Sequence, residues 1–145
     1  MQNRDAWGNG DLCEYDSADY PSLPRQTAVE IIAWRSPGGT VTEVVETYEP
    51  GWGERNMADV RAVIDFCNAV VTPEGVGPTV YAVTGPAFAG DDSLLVRVES
   101  ESPGGPTNVS FFAVIRVGDR IATIHTTKSE LELAAIAQRA AARLG

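Results

Sequence analysis

Two β-rich runs flanking a two-residue turn dominate the hydrophobic pattern of this chain. Asn108–Val117 is apolar at nearly every position (Val109, Phe111, Phe112, Ala113, Val114, Ile115, Val117), and Arg120–Thr127 follows after Gly118-Asp119. Such a pair predicts a β-hairpin. A strand that can bury both of its faces belongs at the centre of a sheet. Earlier in the chain, Thr27–Arg35 and Thr40–Tyr48 are rich in β-branched residues and are joined by Ser36-Pro-Gly-Gly39, which predicts a second hairpin. Glu43, Glu46 and Glu49 suggest that part of this hairpin faces water and lies at one side of the sheet. Leu94–Ser100 alternates, with Leu94, Val96 and Val98 on one face, as a half-buried antiparallel strand does. Thr79–Thr84 is short and β-rich and predicts one more strand.

Two segments change period. Across Glu54–Val70, the residues Met57, Val60, Val63, Ile64 and Cys67 fall at helical spacing. Ser129–Leu144 opens on a capping box, Ser129 with Glu132, and carries Leu133, Ile136, Ala137, Ala140 and Leu144 as an apolar stripe. Arg139 and Arg143 lie near its C-terminus, where the helix dipole favours cations. The connectors 72–78, 85–90 and 102–106 are rich in Gly and Pro. The predicted order is ββ-α-ββββ-α. That is an α+β fold, a curved antiparallel sheet of about six strands packed with two helices. Residues 1–26 hold scattered aromatics among Gly, Asn, Asp and Pro and read as an irregular arm, leaving 27–145 as a single domain.

Charge narrows the partners. The formal net charge of −9, from 20 acidic and 11 basic residues, opposes binding to phosphate backbones and to anionic lipid. The expected partner is a small molecule or a protein, with no nucleic acid. No run of eighteen apolar residues occurs, so no membrane-spanning helix is predicted.

Cys13 and Cys67 are the only cysteines. As a disulfide they close a loop of about 54 residues, worth about 3–4 kcal/mol in the chain-entropy model, and imply an oxidising compartment. As free thiols they are two small apolar residues, Cys13 then being exposed to oxidation. The Cys13–Cys67 bridge is the expected state, because a free Cys13 among Gly10, Asp11 and Glu14 would be exposed, and quantitative thiol labelling of the untreated protein tests it.

Catalytic signatures are missing. There is no GxSxG, HExxH, P-loop or GxGxxG, and His125 is the only histidine. No metal ligand set, cofactor motif or catalytic residue is assigned. Asp91-Asp92 offers too few oxygens for calcium and reads as a solvated turn. The candidate ligand contacts are Trp52, Phe88, Tyr48, Arg116 and His125. Trp52 lies between two glycines, either as a plug over the helix start or as an exposed contact, and Phe88 lies in a loop; with Tyr20 they would line an aromatic recess if their loops converge.

Several short motifs occur together: the early Cys13, Ala33-Trp34-Arg35, a strand ending in Tyr48, the helix with Met57 and Cys67, Gly90-Asp91-Asp92-Ser93-Leu94, and Ala113-Val-Ile-Arg-Val-Gly-Asp119. Together they resemble actinobacterial extracytoplasmic domains, found in secreted lipoproteins and as the sensor domain of PknH-type receptor kinases. The kinase sensor has two disulfides and this chain can form one, which favours a lipoprotein-like relative. The resemblance implies a sheet packed on helices, a ligand cleft and no catalytic residues. The expected function is a non-enzymatic extracytoplasmic ligand-binding or sensing domain, secreted or anchored through a segment preceding Met1. A protein-interaction or inhibitor module is the alternative, and a small cavity-type hydrolase or isomerase the second.

Overall fold

The computed structural model describes residues 21–36, 39–69, 79–101, 105, 107–126 and 129–145. In chain order the elements are β1 (Gln26–Ser36), β2 (Gly39–Tyr48), α1 (Trp52–Ala69), β3 (Thr79–Val83), β4 (Asp92–Glu101), β5 (Thr107–Val117), β6 (Arg120–Thr126) and α2 (Glu130–Leu144). All strand pairs are antiparallel, in the spatial order β1-β2-β6-β5-β4-β3. The ββ-α-ββββ-α order and the α+β class are those expected, and the β5–β6 hairpin lies at the centre of the sheet.

The helices take opposite faces. Ala113 and Ile115 of β5 pack with Leu133, Ile136, Ala137, Ala140 and Leu144 of α2. Their neighbours Phe112 and Val114 pack with Met57, Val60 and Ile64 of α1. Side chains alternate across a strand, so a β5 apolar at consecutive positions is the sequence signature of a sheet covered twice. The result is three layers with a core on each side of the sheet.

Covering both faces also reverses one expectation. Glu43 and Glu46 do not face water: they are 1% and 5% exposed. β1 occupies the edge, so β2 is an interior strand. Glu43 accepts a hydrogen bond from the Arg143 guanidinium at 2.8 Å, and Glu46 accepts from Tyr48 Oη at 2.9 Å and from the Gln26 amide. Glu49, past the strand end, does stay near solvent and pairs with Arg25 at 3.2 Å.

The Gly118-Asp119 turn holds more than its own hairpin. Gly118 sits at φ +59°, which glycine adopts without a Cβ penalty. Asp119 reaches across to the start of α1, where Oδ1 accepts from the Gly51 and Gly53 N–H groups at 2.9 and 3.0 Å. The first N–H groups of a helix have no partner within it, so this carboxylate caps α1 from a distant strand turn.

Two polar contacts fix the margins of α1. Ser22, fully buried, donates its hydroxyl to Asp59 at 2.5 Å and accepts from Asn56 Nδ2 at 3.0 Å, which docks the segment entering β1 on the helix. At the other end, the Asn68 amide donates to the Tyr81 carbonyl at 2.7 Å and accepts from the Tyr81 N–H at 2.9 Å. Cys67 is buried on α1 beside Val63, against Leu23 and Tyr81. Cys13 and Tyr20 lie outside the described residues, and so does most of the arm expected over 1–26.

Candidate functional site

A recess of about 360 Å³ opens on the α1 face of the sheet, within the range of about 300–1,000 Å³ typical of small-molecule pockets. Strand register builds it. Thr42, His125 and Phe112 lie side by side across β2, β6 and β5, and Tyr81, Val98 and Ser110 lie side by side across β3, β4 and β5. These are neighbouring rows on one face, because Val96 is opposite Phe112 and Val98 is opposite Ser110. Thr40, Phe111 and Thr126 complete the lining among the described residues, none of which belongs to α1. The recess therefore lies where the helix no longer covers the sheet.

His125 is its chemical centre. The imidazole stacks on Phe112, with centroids 5.3 Å apart and planes 26° from parallel. Burial holds its pKa below the ordinary 6.5, because the low-dielectric surroundings disfavour the charged form. Near neutral pH the ring is uncharged and offers one N–H donor and one nitrogen acceptor. Thr42 and Ser110 add hydroxyls, while the Thr126 hydroxyl is already bonded to the Thr40 carbonyl at 3.1 Å. No charged side chain lines the recess among the described residues.

The depressed pKa has a consequence for stability. In the unfolded chain the imidazole takes up a proton at about pH 6.5, before the folded protein does. Stability therefore falls as pH drops below about 6.5 towards the folded value, by at most about 1.4 kcal/mol per pH unit. Above about 6.5 this contribution vanishes. Urea unfolding of wild type and His125→Gln at pH 7.5, 6.5 and 5.5 checks it. The difference between the two proteins should change on acidification, and a constant difference contradicts the assignment.

The other expected contacts lie elsewhere. Trp52 is not in a loop: it opens α1 and packs on the core beneath that helix, with the Arg25 and Arg55 guanidiniums 5.0 and 4.8 Å from its ring centroid. Phe88 packs on the opposite core, under α2. The sheet separates the two rings, so they share no recess. Tyr48 is buried and hydrogen-bonded to Glu46. Arg116 donates to the Gly118 carbonyl at 3.0 Å and lies 3.8 Å from Asp91. Of the five candidates, His125 alone lines the recess.

Phe112, Tyr81, Thr42 and Ser110 are lining residues that sequence reasoning missed. One signal was available. A two-residue turn fixes hairpin register, so Val117 opposite Arg120 places Phe112 opposite His125.

Asp91 and Asp92 hold the fold together. Asp92 takes a two-pronged contact from Arg61, at 2.8 Å on each oxygen, and that guanidinium holds its carboxyl below the usual range. Asp91 accepts from the Gly118 N–H at 2.7 Å.

Comparison with protein-family models, curated proteins and solved structures finds none that matches this chain.

Proposed function

We propose that the chain is a non-enzymatic ligand-binding or sensing domain, and that the recess around His125 takes a small uncharged molecule with a planar ring. The observation that carries this reading is the lining: an aromatic and aliphatic floor, Phe112, Tyr81 and Val98, with an uncharged imidazole and hydroxyls at its rim. A charged ligand would lose its hydration here without gaining a counter-charge, which costs several kcal/mol. A neutral ring meets Phe112 and His125 by stacking and the rim by hydrogen bonds. The motif resemblance to extracytoplasmic sensor domains supports the same reading. An extracytoplasmic location belongs to this proposal and depends on a Cys13–Cys67 bridge, which thiol counting tests.

The alternatives have less support. Acid–base or nucleophilic catalysis by His125 needs a partner within hydrogen-bond reach. The Thr42 and Ser110 hydroxyls are possible nucleophiles, but among the described residues neither is hydrogen-bonded to His125 and no carboxylate lines the recess to orient the ring. The exposed large apolar residues Ile31, Phe66, Val83, Val109 and Leu131 sit on five different elements and do not single out one docking face.

The test is an NMR titration with indole as a neutral planar probe. The expected result is a saturable shift of the His125 and Phe112 ring resonances, with binding weakened at least fivefold in His125→Ala. Shifts that never saturate, or that miss these rings, remove the proposal. Native mass spectrometry of gently purified protein provides a second readout through any co-purified molecule.

A further inference from the structure

A second recess, of about 570 Å³, lies on the other side of the sheet between α2 and the edge strand β1. Its lining is Ile32, Trp34, Ile136, Arg139 and Arg143. The spacings explain why these five meet. Ile32 and Trp34, two apart on a strand, point to the same face, and Ile136, Arg139 and Arg143 fall three and four apart along one side of a helix. Trp34 is partly buried against the α2 core, which fixes its ring as a wall of the recess.

Two guanidiniums line this recess. Arg143 is matched by Glu43, whose side chain is 2% exposed beneath it. Arg139 is exposed and has no ion-pair or hydrogen-bond partner among the described residues. Among the described residues no carboxylate lines the recess. One guanidinium is thus uncompensated beside an indole and two isoleucines, in a chain of net charge −9. A guanidinium accepts a carboxylate with two parallel N–H donors, and an indole face with branched aliphatics takes an apolar body.

We infer that the recess between α2 and β1 binds a small amphipathic monocarboxylate, its acid group on Arg139 and its apolar body against Trp34, Ile32 and Ile136. A single uncompensated cation suits one carboxylate and not the run of charges of an acidic peptide. This site is separate from the His125 recess and of opposite preference, so neither reading depends on the other.

The probe is 1-naphthoate, compared with 1-naphthamide, its uncharged counterpart, on the full chain. Binding is followed by NMR at the Trp34 indole N–H and the Arg139 Nε–H, with His125 as reference for the other recess. Naphthoate should shift both Trp34 and Arg139 saturably and bind at least tenfold more tightly than the amide. Arg139→Gln, on the exposed side of α2, should retain the fold and lose that tenfold margin. Equal affinity for acid and amide overturns the inference, as does an unchanged affinity in Arg139→Gln or a shift centred on His125. A tetraglutamate peptide that binds the same residues more tightly than naphthoate, or probe-free Trp34 shifts that grow with protein concentration, assigns the surface to a peptide or to a second copy and also overturns it.

Discussion

Gly53→Ala is expected to destabilise the fold by about 3 kcal/mol or more, although alanine is the better helix former by about 1 kcal/mol. Gly53 lies in the first turn of α1, directly under the β5–β6 turn. A Cβ there would meet the Asp119 Cα at 2.7 Å and the Gly118 carbonyl oxygen at 2.7 Å. Both are backbone atoms, so relief requires moving the hairpin tip. That movement would break the two hydrogen bonds from Gly51 and Gly53 to Asp119 and the Tyr48 N–H bond to the Asp119 carbonyl at 2.9 Å. Gly51 is the control: it has no atom within 4 Å of a Cβ and meets only the strain of φ +84°, worth about 1–2 kcal/mol. Chemical denaturation of both variants decides the matter. A Gly53→Ala cost no larger than that of Gly51→Ala would show that the close approach is not limiting.

Removing the cation above Glu43 should have a similar effect. Arg143→Met is expected to cost roughly 3 kcal/mol, because it leaves a carboxylate uncompensated in the sheet face under α2. The figure is at the low end for buried pairs because the Arg143 side chain is itself 54% exposed. Arg143→Lys should recover part of the loss. The double variant Glu43→Leu/Arg143→Met should approach wild type, since two apolar groups need no counter-charge. If Arg143→Met costs under about 1 kcal/mol, the value of an ordinary surface pair, Glu43 is reached by water and the reading is wrong.

Local signals carried much of the fold. The Gly118-Asp119 turn, the capping box at Ser129 and the helical spacing around Met57 and Val60 each specify structure within a few residues, and each lies where expected. What failed was long-range. Glu43 and Glu46 look solvated until Arg143, Gln26 and Tyr48 are brought to them, and Arg143 is 100 positions from Glu43 in sequence. Trp52 between glycines reads as loop, yet α1 begins at Trp52, two residues before Glu54, where Asp119 caps it from the distant hairpin turn. The two sides of the sheet also separate Trp52 from Phe88, which no single-strand pattern reveals. His125 could be identified as a polar outlier, but its neighbours come from β2, β3, β4 and β5 and depend on register. Only the Phe112 contact lay within reach of turn arithmetic.

The Asn68 amide has a consequence at the scale of assemblies. It occupies the Tyr81 N–H and C=O, the middle backbone pair facing outward from the five-residue strand β3. A sheet with two free edges can recruit neighbours at both and grow without limit, whereas one with a single free edge stops when that edge is matched. A side chain that mimics a strand covers the middle of β3, and among the described residues β1 carries no such plug. Among the described residues, strand addition is therefore expected through β1, as two copies joined edge to edge.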